Sequence, residues 1–354
     1  MNDPGSGVPD PHVLEQIADR VLWLAVRMID AANRERDTGD GVAVGGHQAS
    51  CASLVPAMTA LYFAHLDRAD RVSVKPHAAP VFHAIQYLLG RLERRYLTRL
   101  RARGGLQSYP SRTRDPDRVD FSTGSLGLGP VAPLFAAVTR RYVDEHFGPR
   151  EPSRFVALLG DAELDEGSVW EAVTDPVSAG LGNVLWIVDC NRQSLDRIVP
   201  VARDRRRAAL FASAGWHVRE VPYGRRLQER FARPFGQALR SWLDAVSDDE
   251  YRALSGLAGA DVRARIRERA PAEVERALAD VPDADLPALV LDFGGHDIAA
   301  LLDAYAACDA VTDRPSVVLA HTVKGWGCRS RGAPATTTRS SPGRRSTGCG
   351  RRGG

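Results

Sequence analysis

The chain has 354 residues, of which 44% are hydrophobic and 26% charged, enough for one large folded domain or two smaller ones. Its formal net charge is +3, but residues 329–354 hold seven Arg and no acidic residue, and +3 minus those seven charges leaves residues 1–328 at −4. The body of the chain is therefore mildly acidic, and its charge gives no support for nucleic-acid binding.

Two further classes of segment are missing from the sequence. No apolar run approaches the length that spans a bilayer, and the N-terminus has neither the basic start nor the apolar core of a signal peptide. We therefore expect no membrane partner and take a cytoplasmic location as the default. No C-x-x-C or Cys/His ligand spacing occurs, so the sequence does not support a zinc site.

The first part of the chain is predicted to be mainly helical, because its apolar residues recur at helical spacing. An N-terminal helical segment occupies residues 1–40. The predicted helices are residues 12–33, about 53–65, 80–103, and one that begins near Pro130, a residue well suited to the first turn of a helix. A loop-like region precedes the last of these helices.

The later part of the chain contains short apolar runs of strand type. They are residues 155–159, 184–189, 217–221 and 316–321. Because such runs alternate with helices, we predict an α/β fold, a parallel β-sheet with helices on both faces. Residues 203–286 are rich in Arg, Glu and Ala and are expected to form a helical insertion or arm.

Polar residues stand at the ends of two of these strands, where open α/β sheets bind their ligands. Gly160 and Asp161 end one apolar run, and Asn191 follows the next. A turn leading into a helix presents N–H groups to phosphate, yet the acidic residues here would repel it unless a cation intervened. Mg²⁺ accepts carboxylate and amide oxygens together with phosphate oxygens. In the alternative, Asp161 only caps a helix and Asn191 only forms a turn, but the pair at two strand tips favours a metal site.

These segments, G-D-A-E at 160–163 and N-R-Q at 191–193, resemble the thiamine diphosphate signature, G-D-G followed downstream by an asparagine. The resemblance is closest to the homodimeric, bacterial-type pyruvate dehydrogenase E1 component, and transketolase is a more distant relative. It covers roughly residues 45–327. Other segments agree in order: GGHQAS (45–50), KPHAAPVFHA (75–84), GGLQSYPSR (104–112), STGSLGLGP (122–130), GGHD (294–297) and TVKGWG (322–327).

The resemblance implies a set of cofactor ligands. Asp161 and Asn191 would bind Mg²⁺ through their side chains, and Gln193 would add its backbone carbonyl. The metal would in turn bind the diphosphate of thiamine diphosphate. Further cofactor contacts are implied for Gly160, Ala162 and Glu163. Ala162 replaces the usual glycine, and if that position needed a positive φ, alanine would cost about 1 kcal/mol.

The resemblance also implies residues that act around the reacting part of the cofactor. His47 and His77 would lie near the thiazolium ring and the substrate, where they stabilise charge or move protons. Ser125 and Leu126 would hold the aminopyrimidine through main-chain contacts. Three other histidines, His65, His83 and His296, are expected to be structural or exposed.

For function, the resemblance implies an E1 component that decarboxylates pyruvate and passes the two-carbon unit to lipoyl groups. The glutamate that activates the cofactor lies in a second, pyrimidine-binding domain, and TVKGWG precedes the linker to it. We therefore expect residues 41–328 to form the diphosphate-binding domain only, with the pyrimidine-binding domain absent. A partner chain would then supply the pyrimidine-binding domain. The assembly would be a dimer or another homo- or hetero-oligomer. The alternatives are the N-terminal half of a split transketolase, acting on ketose phosphates, and an inactive truncated product.

The C-terminal tail, residues 329–354, contains no Leu, Ile, Val or Phe and cannot form a hydrophobic core. It is expected to be disordered. The alternatives are a basic tether for an anionic partner and an out-of-frame end of the reading frame, because Arg, Gly, Ser and Pro dominate it.

Overall fold

The computed structural model describes residues 9–36, 43–46, 48–191, 193–194, 197–198 and 201–328. The strands are β1 (Arg71–Ser73), β2 (Phe155–Gly160), β3 (Val184–Cys190), β4 (Gln193–Ser194), β5 (Arg197–Ile198), β6 (His217–Val221) and β7 (Ser316–His321). Five of them form a central parallel sheet with the strand order β1-β2-β3-β7-β6, and a short antiparallel pair, β4 and β5, lies apart from it. All four predicted strands are confirmed, and the sequence missed β1, which has only three residues.

Helices precede β1 and occupy most of the segments between the later strands. They are α1 (Pro11–Arg34), α2 (Gln48–Ala52), α3 (Val55–Ala60), α4 (Ala79–Leu88), α5 (Leu128–Phe147), α6 (Gly167–Thr174), α7 (Val201–Ser213), α8 (Arg225–Phe231), α9 (Gly236–Ala245), α10 (Asp248–Ser255), α11 (Gly259–Arg269), α12 (Ala272–Ala277), α13 (Leu286–Val290) and α14 (Ile298–Asp309). None of the helices in the described part of the chain combines the length and apolarity needed to cross a bilayer.

Both faces of the sheet are covered, because successive strand residues point to opposite sides. Val156 and Leu158 pack into one core, together with α1, α3, α4 and α14. Phe155, Ala157 and Leu159 pack into a second core, together with α5, α6 and α7. The predicted parallel sheet with helices on both faces is therefore confirmed.

Two predicted helices differ in detail from the structure. The helix predicted for residues 80–103 ends at Leu88, because Gly90 has a φ of +71° and the chain leaves the helix there. A 3₁₀ turn at Arg94–Thr98 follows. The helix predicted for residues 53–65 is α3, which continues as a π-helical turn over Leu61–His65.

A third core lies in the region between β6 and α14. Helices α8 to α13 supply its apolar residues, among them Leu227, Leu243 and Ile266. Strand β6 lies within the range 203–286, so the arm is not helical throughout. The domain boundaries 41–328 and 203–286 stay predictions, and the tail at 329–354 lies outside the described residues.

Candidate functional site

The carboxyl ends of four strands meet at one edge of the sheet. The sequence predicts Asp161 and Asn191 at two strand tips. Strands β2 and β3 are neighbours with Gly160 opposite Asp189, so the two residues follow the tips of adjacent strands. Strand β1 lies on the other side of β2, and β7 lies on the other side of β3. Residues just beyond β1 and β7 therefore reach the same edge.

The turn after β2 is a 3₁₀ helix over Asp161–Asp165, closed by a hydrogen bond from the N–H of Gly160 to Oε1 of Glu163 at 3.1 Å. Glycine at its start leaves room for the Lys75 side chain, since a Cβ at position 160 would lie 3.0 Å from Cε of Lys75. Among the described non-glycine residues, only Arg101 and Phe235 have a positive φ. The strain considered for Ala162 is therefore not present.

The carboxylate of Asp161 is buried, with only 1% of the residue exposed, and it faces a buried arginine. Arg207 on α7 donates to the backbone carbonyl of Asp161 at 2.6 Å, and its Nη1 lies 3.6 Å from Oδ2 of the same residue. Arg207 also lies 3.6 Å from Asp165. The guanidinium compensates the negative charge of the turn, and the sequence analysis did not identify it.

The amide of Asn191 is held in place by the carboxylate of Asp189. Its Nδ2 donates to Oδ2 of Asp189 at 3.1 Å, and Asn191 is itself buried. Because the amide nitrogen is engaged in this bond, the amide oxygen is the atom that can act as a metal ligand. Gln193 lies two residues further on, in β4, with its backbone opposite Ile198.

Asp189 is the centre of a buried polar network that the sequence analysis missed. Nζ of Lys75 and Oγ of Ser53 each donate to its Oδ2 at 2.8 Å, and Oγ1 of Thr322 donates to its Oδ1 at 2.5 Å. Burial opposes the ionisation of Asp189, but the charge and hydrogen bond of Lys75 outweigh it and hold the pKa of this carboxyl below its ordinary value. Burial likewise opposes the charge on Lys75, but Asp189 raises the pKa of this amine.

We expect Asp189→Asn to destabilise the fold by about 3–5 kcal/mol, because it leaves the ammonium of Lys75 buried without its counter-charge. Lys75→Met should cost less, since Asp189 keeps the three donors Ser53, Thr322 and Asn191. Urea unfolding followed by circular dichroism measures both free energies. The opposite order of the two losses would contradict this account of the network.

Glu163 is a second buried acid in the turn, with 3% of the residue exposed. Burial raises the pKa of its carboxyl, while the N–H of Gly160 and the charge of Lys75 oppose that rise. The folded state therefore favours the protonated form of Glu163. Its contribution to stability is complete below the unfolded pKa, about 4.3, and is lost as the pH rises through the folded value.

We therefore expect Glu163→Gln to gain stability relative to wild type as the pH rises from 4 to 8, because the amide carries no buried charge. Free energies of unfolding of both proteins in Mg²⁺-free buffer at several pH values measure this difference. Glu171→Gln is the matched control, since Glu171 is exposed on α6. A difference between wild type and Glu163→Gln that does not change with pH would rule out the proposed titration.

His77 lies at the same sheet edge, on the 3₁₀ turn Pro76–Ala78 that joins β1 to α4. It is half-buried, and its ring stands edge-on to Tyr109 with 5.9 Å between ring centroids. His77 thus follows β1, the sheet neighbour of β2, whose end leads into Asp161. The other predicted catalytic residue, His47, lies outside the described residues.

Ser125 and Leu126 lie in the turn before α5, and both are exposed. Leu126 is 48% exposed and Leu128, the first residue of α5, is 56% exposed. Gly127 between them has a φ of +81° and caps α5. This turn is therefore an open, partly apolar surface. Gly127 lies close to the acidic segment after β2, since a Cβ at position 127 would lie 2.8 Å from Cβ of Glu166.

The residues present fit a hard divalent cation that carries a diphosphate. Asp161 and Asn191 provide buried carboxylate and amide oxygens, the ligand types that Mg²⁺ prefers. Lys75 and Arg207 supply positive charge next to the acidic turn, which favours a phosphorylated ligand. Gly160 keeps the turn free of a side chain.

Comparison with known proteins gives a family match over more than half of the chain. Residues 23–234 match the family model of the transketolase, thiamine diphosphate binding domain. The pyruvate dehydrogenase E1 component of Corynebacterium glutamicum is 31% identical over 325 residues, which cover 87% of this chain and 34% of that protein. The pyruvate dehydrogenase E1 component of Escherichia coli is 30% identical over 328 residues, which cover 88% of this chain and 36% of that protein. The chain thus spans about a third of the length of these relatives.

Solved structures with a similar fold include two transketolases. That of Leishmania mexicana aligns with a TM-score of 0.62 at 17% identity and covers 92% of this chain and 38% of its own. That of Campylobacter jejuni aligns with a TM-score of 0.62 at 17% identity and covers 94% of this chain and 40% of its own. At these identities the likeness shows the fold alone.

Proposed function

Because the chain belongs to the family of transketolase thiamine diphosphate binding domains, we propose that it is the diphosphate- and Mg²⁺-binding half of a 2-oxo acid dehydrogenase E1 enzyme. The observation that carries the proposal is the placement of buried Asp161 and Asn191 at the tips of two adjacent parallel strands. Open α/β sheets usually bind their ligands just beyond the carboxyl ends of neighbouring strands.

In this proposal each group of the site has one task. Asp161, Asn191 and the backbone carbonyl of Gln193 bind Mg²⁺, and the turn formed by Gly160, Ala162 and Glu163 holds the diphosphate. Asp189 fixes the orientation of the Asn191 amide and is itself held by Lys75. These contacts are formed within the protein, so the site is largely pre-organised for the cofactor.

The cofactor would supply a nucleophilic carbon for cleaving the bond next to the substrate carbonyl. His77 then stands at the substrate side of the site, where its ring can donate a proton to developing negative charge. The edge contact with Tyr109 sets the orientation of that ring. His47 and the main chain of Ser125 and Leu126 complete the proposed set.

We favour pyruvate as the substrate over a ketose phosphate. The curated proteins at 30–31% identity are pyruvate dehydrogenase E1 components, whereas the solved transketolases share 17–21%. The SYPSR and VDCNRQ segments of the sequence support the same choice. The chain would pass the resulting two-carbon unit to a lipoyl group.

The proposal includes a second polypeptide surface that completes the site. The relatives are about three times as long as the matched region. The resemblance implies that the activating glutamate lies in a pyrimidine-binding domain. Leu126 and Leu128 are exposed beside Ser125, where the aminopyrimidine would bind. We propose that a pyrimidine-binding domain covers this apolar surface in a dimer or a larger oligomer.

A comparison of thiamine diphosphate with thiamine tests the proposed function. With Mg²⁺ present, the diphosphate form should raise the melting temperature of the full chain, and thiamine at the same concentration should not, because it lacks the group that the site binds. Pyrophosphate with Mg²⁺ should reproduce part of the rise. Equal shifts with thiamine and thiamine diphosphate, or none with either, would reject a diphosphate-binding role.

A further inference from the structure

A second cluster of ionisable side chains lies between α4 and the loop that precedes α5. It consists of His83 on α4 and of Asp115 and Asp117 in the loop, and none of them has a part in the proposed function. One potential ligand atom from each residue lies within 4.8 Å of the other two. His83 and Asp117 are buried, Asp115 is half-buried, and Nδ1 of His83 lies 2.7 Å from Oδ2 of Asp117.

The charges of this cluster are not balanced by the protein around it. Among the described residues, no Lys or Arg lies within 4.0 Å of either carboxylate, and the only ion pair is the one between His83 and Asp117. Asp115 accepts two backbone N–H groups, from Gln107 and Ser111, each at 2.7 Å. Two carboxylates therefore share one imidazole in a largely buried place, an arrangement that costs free energy unless more positive charge is present.

Two atoms of the cluster also lack the hydrogen bonds that buried polar atoms normally make. Nε2 of His83 and Oδ1 of Asp117 are buried and have no hydrogen-bond partner among the described residues. The side chains of both residues are completely buried. A site with unpartnered imidazole and carboxylate atoms has the donors that a cation would use.

We propose that His83, Asp115 and Asp117 bind one divalent cation of the zinc type. A neutral imidazole and two carboxylates give a ligand set whose charge a dication neutralises, and nitrogen and oxygen donors of this kind suit Zn²⁺ and Co²⁺. Bonds of about 2.0–2.2 Å place the ligands of a tetrahedral ion roughly 3.4 Å apart. The candidate ligand atoms lie within 4.8 Å of one another. Nδ1 of His83 and Oδ2 of Asp117, now 2.7 Å apart, would have to separate if both became ligands, and a water molecule can fill the fourth position.

A cation at this position would also affect the proposed substrate side of the site, where His77 lies. It would join α4, which begins two residues after His77, to the loop that carries Tyr109. Tyr109 contacts the ring of His77 and also lies against Gly124, whose Cβ would be 3.2 Å from the tyrosine ring. The cation therefore fixes the loop whose tyrosine orients His77. The prediction that His83 is structural or exposed stays compatible with this role, which a search for Cys/His spacing does not detect.

Cobalt binding to the full chain tests the proposal, because Co²⁺ bound by nitrogen and oxygen ligands has visible absorption bands. Wild type should bind about one equivalent of Co²⁺ with these bands, and so should Asp161→Asn, which removes a ligand of the proposed Mg²⁺ site. Asp117→Asn should weaken this binding at least 10-fold, as loss of even outer metal contacts typically does. Asp120→Asn is the matched control in the same loop and should bind as wild type.

Asp115→Asn is the second variant, for use if Asp117→Asn does not fold. Asp115 is half-buried, so its replacement should disturb the fold less. Circular dichroism shows whether each variant is folded. Asp115→Asn should also weaken Co²⁺ binding at least 10-fold. Wild type that binds no Co²⁺ with visible bands would overturn the proposal. A second result would also overturn it: Co²⁺ binding that is lost in Asp161→Asn but kept in the folded Asp115 or Asp117 variants. The metal would then lie at the proposed Mg²⁺ site.

Discussion

Replacing Asp161 by Asn is expected to weaken the Mg²⁺-dependent binding of thiamine diphosphate about 100-fold or more, because the buried carboxylate is the charged ligand of the proposed metal site. Removal of contacts that merely support a metal ligand already costs about 10–100-fold. Asn keeps the shape of the side chain and a neutral oxygen, so the loss reports the charge. Isothermal titration of thiamine diphosphate into wild type and variant in Mg²⁺ buffer measures it.

Asp165→Asn is the matched control for this variant. Asp165 belongs to the same 3₁₀ turn and lies at the same 3.6 Å from Arg207, but its side chain is 37% exposed. It should therefore bind the cofactor nearly as wild type does. Unchanged affinity in Asp161→Asn, or an equal loss in both variants, would remove Asp161 from the metal site.

The second large effect concerns catalysis by the chain alone. We expect the purified chain to show no pyruvate-dependent reduction of ferricyanide, even with saturating thiamine diphosphate and Mg²⁺. The proposed diphosphate half would bind the cofactor, but the proposed activation of its reactive carbon needs the glutamate of a pyrimidine-binding domain.

Addition of a pyrimidine-binding fragment from the Corynebacterium glutamicum relative is the complementary experiment. Any activity that appears in the mixture should vanish in Asp161→Asn, since both halves then depend on the same bound cofactor. Turnover by the purified chain alone would contradict the division of the site between two polypeptide surfaces.

The sheet and its ligand edge could be predicted from the sequence because both depend on local signals. Strands β2, β3 and β7 are buried along their whole length, and such strands are continuous apolar runs. Asp161 and Asn191 each follow such a run directly, and the rule for carboxyl ends brings them to one edge. Strand β1 escaped prediction because three residues give too little pattern.

The buried ion pair could not be predicted, because its partners come from distant parts of the chain. Lys75 and Asp189 are 114 residues apart in sequence and meet only because β1, β2 and β3 lie side by side. One signal was present in the sequence: Asp189 is a lone carboxylate within an apolar strand, and such a group requires a buried partner. The end of α4 was also not predicted. The helical pattern continues beyond Leu88, but Gly90 has a positive φ and the helix ends before it.

The cluster at His83 shows the same limit for metal ligands. Its two aspartates follow the histidine by 32 and 34 residues, a spacing that matches no familiar motif. Only the folding of the loop against α4 brings the three side chains together. Arg207 was missed for the same reason, since its contact with Asp161 depends on the packing of α7.

The most direct test of the central claim is anomalous diffraction from crystals of the chain grown with thiamine diphosphate and Mn²⁺ in place of Mg²⁺. The account predicts an anomalous peak within bonding distance of Asp161, Asn191 and the carbonyl of Gln193, in contact with diphosphate density. A diphosphate bound elsewhere on the chain, or bound at this turn without a metal between Asp161 and Asn191, would contradict it.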